Sequence, residues 1–122
     1  MRYLLVAGGG ALGAVARYLI GGWIATAGSV FPVGTLAINV SGSFLLGFFY
    51  ALALERFALP PEWRLAVAIG FLGAYTTFST FSYETFKLIE DGAILFAALN
   101  VALSITGGLL ALYLGVVAAR LV

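Results

Sequence analysis

Hydrophobic positions run almost without interruption along this chain, and the charged ones gather at a few breaks. Residues 33–54, 65–83 and 93–119 contain no Asp, Glu, Lys or Arg, and residues 3–25 contain only Arg17. A helix needs roughly 20 apolar residues to cross a hydrocarbon core, so the pattern predicts four spans, over about 3–25, 33–54, 63–89 and 93–120. A cleaved signal peptide would show a short apolar core followed by a small-residue cleavage site. Here the apolar pattern runs on to Trp23, and the first span is expected to be retained. Turn chemistry marks the connections: residues 26–32, residues 55–62 with Pro60-Pro61, and Glu90-Asp91-Gly92. Links this short place consecutive helices side by side and antiparallel. Residues 1–122 therefore read as one all-α, four-helix membrane domain with both termini on one side.

Composition sharpens the picture mainly by exclusion. The chain is 63% hydrophobic and 9% charged, with a mean hydropathy of +1.13, far from the balance of a water-soluble domain. Without cysteine there is neither a disulfide framework nor thiolate metal chemistry, and without histidine there is no imidazole acid–base work. Nothing pairs a nucleophile with a base, so an enzyme is not expected. A net charge of +1 with no basic patch offers nothing to nucleic acid. Arg2, Arg56, Arg64 and Arg120 fall on one side against Lys87 on the other, a small bias toward cytoplasmic termini. With so few charges, opposite insertions of the same chain remain compatible with this pattern.

Polar groups inside the spans are few enough to weigh singly. Asn39 stands early in the second span and offers two amide donors; bonding to a neighbouring helix is the bland alternative, and it covers Asn100, Ser104 and Thr106 as well. The third span is denser, with Thr76, Thr77, Ser79, Thr80 and Ser82 following Gly70, Gly73 and Ala74. Two β-branched threonines after small residues predict an interruption of the helix. An interrupted span bares backbone carbonyls that can coordinate a small hard cation such as Na⁺. Phe78 and Phe81 are three apart and share a helix face. An aromatic stripe is usually packing, but the positive ring edge beside uncharged hydroxyl donors can hold an anion loosely enough for it to leave. Glu84, about one turn on, is a candidate for the far mouth. Arg17 either snorkels to the interface or draws anions into a vestibule. Small-residue rows, Gly9/Gly13 and Gly107/Ala111/Gly115, suit close helix approach within one subunit or, less expectedly, between subunits.

Over essentially its whole length the chain resembles the Fluc (CrcB) family of small fluoride channels. The matching residues are the run from Gly8 through Arg17-Tyr18, Gly34-Thr35-Leu36 with Ile38-Asn39 and Gly42, and Gly70-Phe71-Leu72-Gly73 with Thr76-Thr77-Phe78-Ser79-Thr80-Phe81. The resemblance implies an antiparallel homodimer inserted in both orientations in the cell inner (plasma) membrane among its lipids, with two fluoride pathways and a central structural Na⁺. It implies pathway roles for Asn39, Phe78 and Phe81, a hydroxyl track at Ser79, Thr80 and Ser82, and Na⁺-facing carbonyls at Gly73 and Thr76. Glu84 matches the acidic residue just beyond the family's motif. Where many members have two consecutive glycines, this chain has Gly73-Ala74, for which a packing adjustment is expected. The implied activity is passive: fluoride enters cells as HF, is trapped as the anion, and leaves down the membrane potential without ATP or proton coupling. The main competing reading is a small dual-topology multidrug or guanidinium antiporter, which would need a glutamate within the first span; there is none. A non-transporting assembly subunit, with the hydroxyls acting only as helix glue, is the third.

Overall fold

The computed structural model describes residues 1–25 and 29–122; part of the expected break at 26–32 lies outside the described residues. Four helices are long and apolar enough to cross a membrane: Arg2–Ile24, Val33–Arg56, Pro61–Glu90 and Ile94–Leu121. The protein is a multi-pass membrane protein. We label Arg2–Ile24 α1 and Val33–Arg56 α2. The third span divides into α3 (residues 61–75) and α4 (Phe78–Glu90), and Ile94–Leu121 is α5. α2 ends in a π-helical turn at Leu52–Arg56, and Arg64–Leu72 of α3 is π-helical as well.

Local chemistry explains the boundaries. Pro61 occupies the first turn of α3, where a missing N–H costs no helical bond. α4 ends in a Schellman motif: Gly92, at φ +80°, donates its N–H to the Ile89 carbonyl, and Ala93 donates to that of Leu88. Between α3 and α4, Thr76 and Thr77 are extended, with ψ of 157° and 123°. The Thr76 hydroxyl donates back to the Leu72 carbonyl at 2.9 Å, and the Thr77 hydroxyl accepts the Thr80 N–H at 3.3 Å. One threonine thus closes α3 and the other caps α4, which is the interruption expected of the third span.

Consecutive spans are antiparallel, but the closest backbone approaches join alternate, parallel ones. A Cβ on Gly9 or Gly13 of α1 would overlap the Ala66 or Phe71 carbonyl of α3. A Cβ on Gly47 of α2 would overlap the Leu112 carbonyl of α5, and one on Gly115 of α5 that of Phe44. The small-residue rows are therefore packing within one chain, as bare backbones approaching in lipid require.

The shared core is small: Ile38, Leu72 and Tyr75, flanked by Ala16, Ile20, Leu46, Val67 and Phe71. The Tyr75 hydroxyl and Ser41 hydroxyl are 2.9 Å apart, joining α2 to α3. Large apolar side chains including Leu12, Tyr18, Leu109 and Leu110 stand exposed, which is the surface a bilayer covers. At one end, Arg120 grips Glu55 through two bonds of 2.7 and 2.9 Å, tying the last turns of α5 and α2.

Candidate functional site

The break in the third span is where the predicted residues meet. Asn39, from the second turn of α2, faces Thr77. Its Nδ2 donates to the Thr77 carbonyl at 3.0 Å and its Oδ1 accepts the Thr77 N–H at 2.8 Å. The Asn39 amide thus supplies the partner that the Thr77 N–H loses at the break, and adds a donor to the carbonyl of this N-cap residue. One Nδ2 proton remains unused, because the amide carries two. Gly42, one turn on, makes this approach possible: a Cβ there would collide with the Thr76 methyl and lie 3.1 Å from the Tyr75 ring.

Two cavities flank the break. One, of about 350 Å³, is lined by Asn39, Gly73, Thr76, Phe78, Phe81 and Ser104, among others. The Phe78 and Phe81 ring centroids are 5.7 Å apart with planes tilted by 49°, and Phe78 is 79% exposed in the single chain. The Ser104 hydroxyl is buried and has no hydrogen-bond partner. It is therefore not the helix glue that its sequence suggested, and it is a site residue that sequence reasoning missed. Nothing in the sequence separates a bonded serine from an unbonded one. No carboxylate lines this cavity.

The other cavity, of about 440 Å³, is lined by Arg17, Tyr18, Thr35, Thr77, Thr80 and Glu84, among others. Arg17 does not snorkel outward. Its Nε donates to the Ala74 carbonyl at 3.0 Å, so the guanidinium braces the open end of α3 while lining this cavity. Glu84 keeps one carboxylate oxygen buried and unpartnered. The two cavities share Thr77 in their walls. Thr80 lines the second with its hydroxyl 3.2 Å from that of Thr77, away from the phenylalanine rings. Ser79 and Ser82 are exposed and reach neither cavity. Within one chain, the expected hydroxyl track is not assembled alongside Phe78 and Phe81.

The break also frees specific carbonyls. In a continuous helix Thr77 and Thr80 would donate their N–H groups to Gly73 and Thr76, but both are diverted, to Asn39 Oδ1 and to the Thr77 hydroxyl. The Gly73 and Thr76 carbonyls are left without helical donors beside the first cavity. Among the described residues no cluster of acidic side chains competes for a metal. Uncharged oxygens of this kind suit a hard monovalent cation such as Na⁺, and the Gly73 and Thr76 carbonyls fit that role. The carbonyl of Ala74, between them in the chain, is the one Arg17 takes.

The fold and the site define a small four-span membrane protein of channel or transporter type, built around a broken third helix. Residues 4–116 match the family described as "CrcB-like protein, Camphor Resistance (CrcB)", and the chain belongs to that family. It is similar to proteins named "Fluoride-specific ion channel FluC". That of Geobacter sulfurreducens is 53% identical over 118 residues, covering 96% of this chain and 95% of the relative. That of Acidobacterium capsulatum is 51% identical over 118 residues, covering 96% and 94%. That of Methylococcus capsulatus is 56% identical over 119 residues, covering 94% of this chain, which spans about half (51%) of that relative's length.

Proposed function

We propose that this chain forms a fluoride-selective passive channel in the cell inner membrane, exporting cytoplasmic fluoride and so limiting its toxicity. The observation that carries this reading is the first cavity. There two phenyl rings, the spare N–H of Asn39 and the unpartnered Ser104 hydroxyl converge with no carboxylate among them. Each is an uncharged positive pole. A phenyl edge, an amide proton and a hydroxyl proton attract an anion, yet hold it weakly enough that it can leave, as conduction requires. Arg17, fixed at the other cavity by its bond to Ala74, supplies the positive field that draws anions toward the break. Glu84 lines the same cavity and marks a mouth rather than the narrow path.

The working unit we propose is an antiparallel homodimer with one chain inserted each way, surrounded by lipid. Two observations support it. Phe78 and Gly73 stand open at the cavity's edge in the single chain, so another surface is needed to close the path. Two carbonyls from one chain are also fewer oxygens than a hard cation takes, and a second copy related by a two-fold axis supplies a second pair. In that assembly Na⁺ would be held by the Gly73 and Thr76 carbonyls of both copies and would lock the two breaks together. The same second copy would bring Ser79 and Ser82, exposed here, against a pathway.

The multidrug or guanidinium antiporter finds no support, because α1 carries no carboxylate. The deciding experiment is fluoride release from proteoliposomes, followed with a fluoride electrode after a potassium ionophore is added. Rapid fluoride release, no chloride release and indifference to a proton gradient are expected. Silence from well-incorporated protein with Na⁺ present would sink the channel reading.

A further inference from the structure

α4 carries both rings of the proposed pathway, yet Leu88 is its only buried residue. Its N-terminal end is held by the Asn39–Thr77 pair. One bond point fixes a position but not a rotation. A second hold is made from α5 by Asn100, which is 2% exposed and the only buried polar residue among the described ones. Asn100 Nδ2 donates to the Thr85 hydroxyl at 2.9 Å, and that hydroxyl donates in turn to the Phe81 carbonyl at 2.8 Å. Among the described residues this is the one side-chain hydrogen bond joining α4 to α5. No water competes at this depth, and a donor chain of this kind is strengthened by its own polarisation. Thr77 and Thr85 lie about 12 Å apart along α4, at ~1.5 Å per residue, and Phe81 stands midway between them.

We infer that Asn100 is a positioning residue for the Phe81 ring. Through the Thr85 hydroxyl it fixes the rotation of α4, and so it sets the ring against Asn39 and Ser104 across the cavity. This rests on reading that cavity as the fluoride pathway. Asn100→Leu keeps the side-chain volume and leaves the Thr85 hydroxyl bonded to the Phe81 carbonyl. α5 remains seated on α2 through Gly115, so the fold should be retained while α4 gains a rotation. Thr85→Val removes both bonds, and Thr85→Ser restores both.

The test compares fluoride efflux per incorporated protein from liposomes. Asn100→Leu and Thr85→Val should each slow efflux about tenfold, the equivalent of an interhelical bond of ~1–2 kcal/mol. The two together should be no slower than either alone, and Thr85→Ser should match wild type. In a Phe81→Ile background, Asn100→Leu should lose its effect, because there is no longer a ring to place. A wild-type rate for Asn100→Leu, or an undiminished loss in the Phe81→Ile background, would overturn the inference and return Asn100 to general helix bonding. Ring position is read independently of transport by ¹⁹F NMR of trifluoromethyl-phenylalanine incorporated at position 81. Asn100→Leu should shift that resonance and Thr85→Ser should not. A resonance that Asn100→Leu shifts, together with wild-type protein that passes no fluoride, would sustain the positioning role and defeat the pathway reading. An unmoved resonance in a protein that conducts would do the reverse.

Discussion

The two seams α1/α3 and α2/α5 and the half-helix α4 are held by opposite means. In the seams, Gly9, Gly13, Gly47 and Gly115 let one helix lie directly on the carbonyls of another, and dispersion over many close atoms does the work. α4 has no such glycine contact. It is located instead by two side-chain amides, Asn39 at Thr77 and Asn100 at Thr85. Close packing is rigid and tolerates no added atom. Amide bonds fix direction while leaving a helix face open, and a face that must line an ion path has to be left open. The scaffold and the pathway therefore depend on different residue types, and substitutions should separate them.

The largest effect should come from the seams. Gly13→Val places branched carbons on the Phe71 backbone, which cannot give way as a side chain can. It should cost about 3 kcal/mol or more, read as loss of the folded peak in size-exclusion chromatography. Gly22→Ala, with nothing within 4 Å of its new Cβ, should elute as wild type. Equal behaviour of the two would dissolve the distinction between seam and open face.

Asn39→Asp should rank next and act differently. The carboxylate cannot donate to the Thr77 carbonyl and brings a negative charge to the anion path, so fluoride flux should vanish while the folded peak persists. Normal flux in a folded variant would remove Asn39 from the pathway. Phe81→Ile and Phe78→Ile should each slow flux about tenfold, by loss of a ring edge of ~0.5–1.5 kcal/mol and its ordering of the path, with assembly intact. Unchanged rates would make both rings ordinary packing. The smallest effect is expected of Ser82→Ala, whose hydroxyl reaches neither cavity in one chain. A clear fall in flux there would show that the second copy brings this hydroxyl to a pathway, and no change would drop it from the track.

Much of this was legible in the residues. Lipid forbids unpaired charge, so charge-free runs mark the spans, and two β-branched threonines after small residues mark the break. The family motif pointed to Asn39, Phe78 and Phe81, which the structure brings to one cavity. What stayed hidden depended on partners. Glycine rows announce a close approach without naming the opposite helix, so the parallel pairing of alternate spans was not evident. Arg17 reads the same whether it reaches lipid headgroups or the Ala74 carbonyl. Asn100 and Ser104 are similar polar interruptions of α5 in sequence, yet one donates to Thr85 of α4 and the other faces a cavity unpaired. Ser79 and Ser82 share the motif with Thr80, but a helix sends neighbours to different faces, and only Thr80 turns inward.

The most direct measurement is the reversal potential across a planar bilayer holding the purified full chain, with a tenfold fluoride gradient, equal chloride and equal pH on the two sides. A passive fluoride-selective path reverses at the fluoride equilibrium potential, about 59 mV for a univalent ion, and stays there when a proton gradient is added. A reversal near zero, or one that moves with the proton gradient, would contradict a pathway built from uncharged donors at the break.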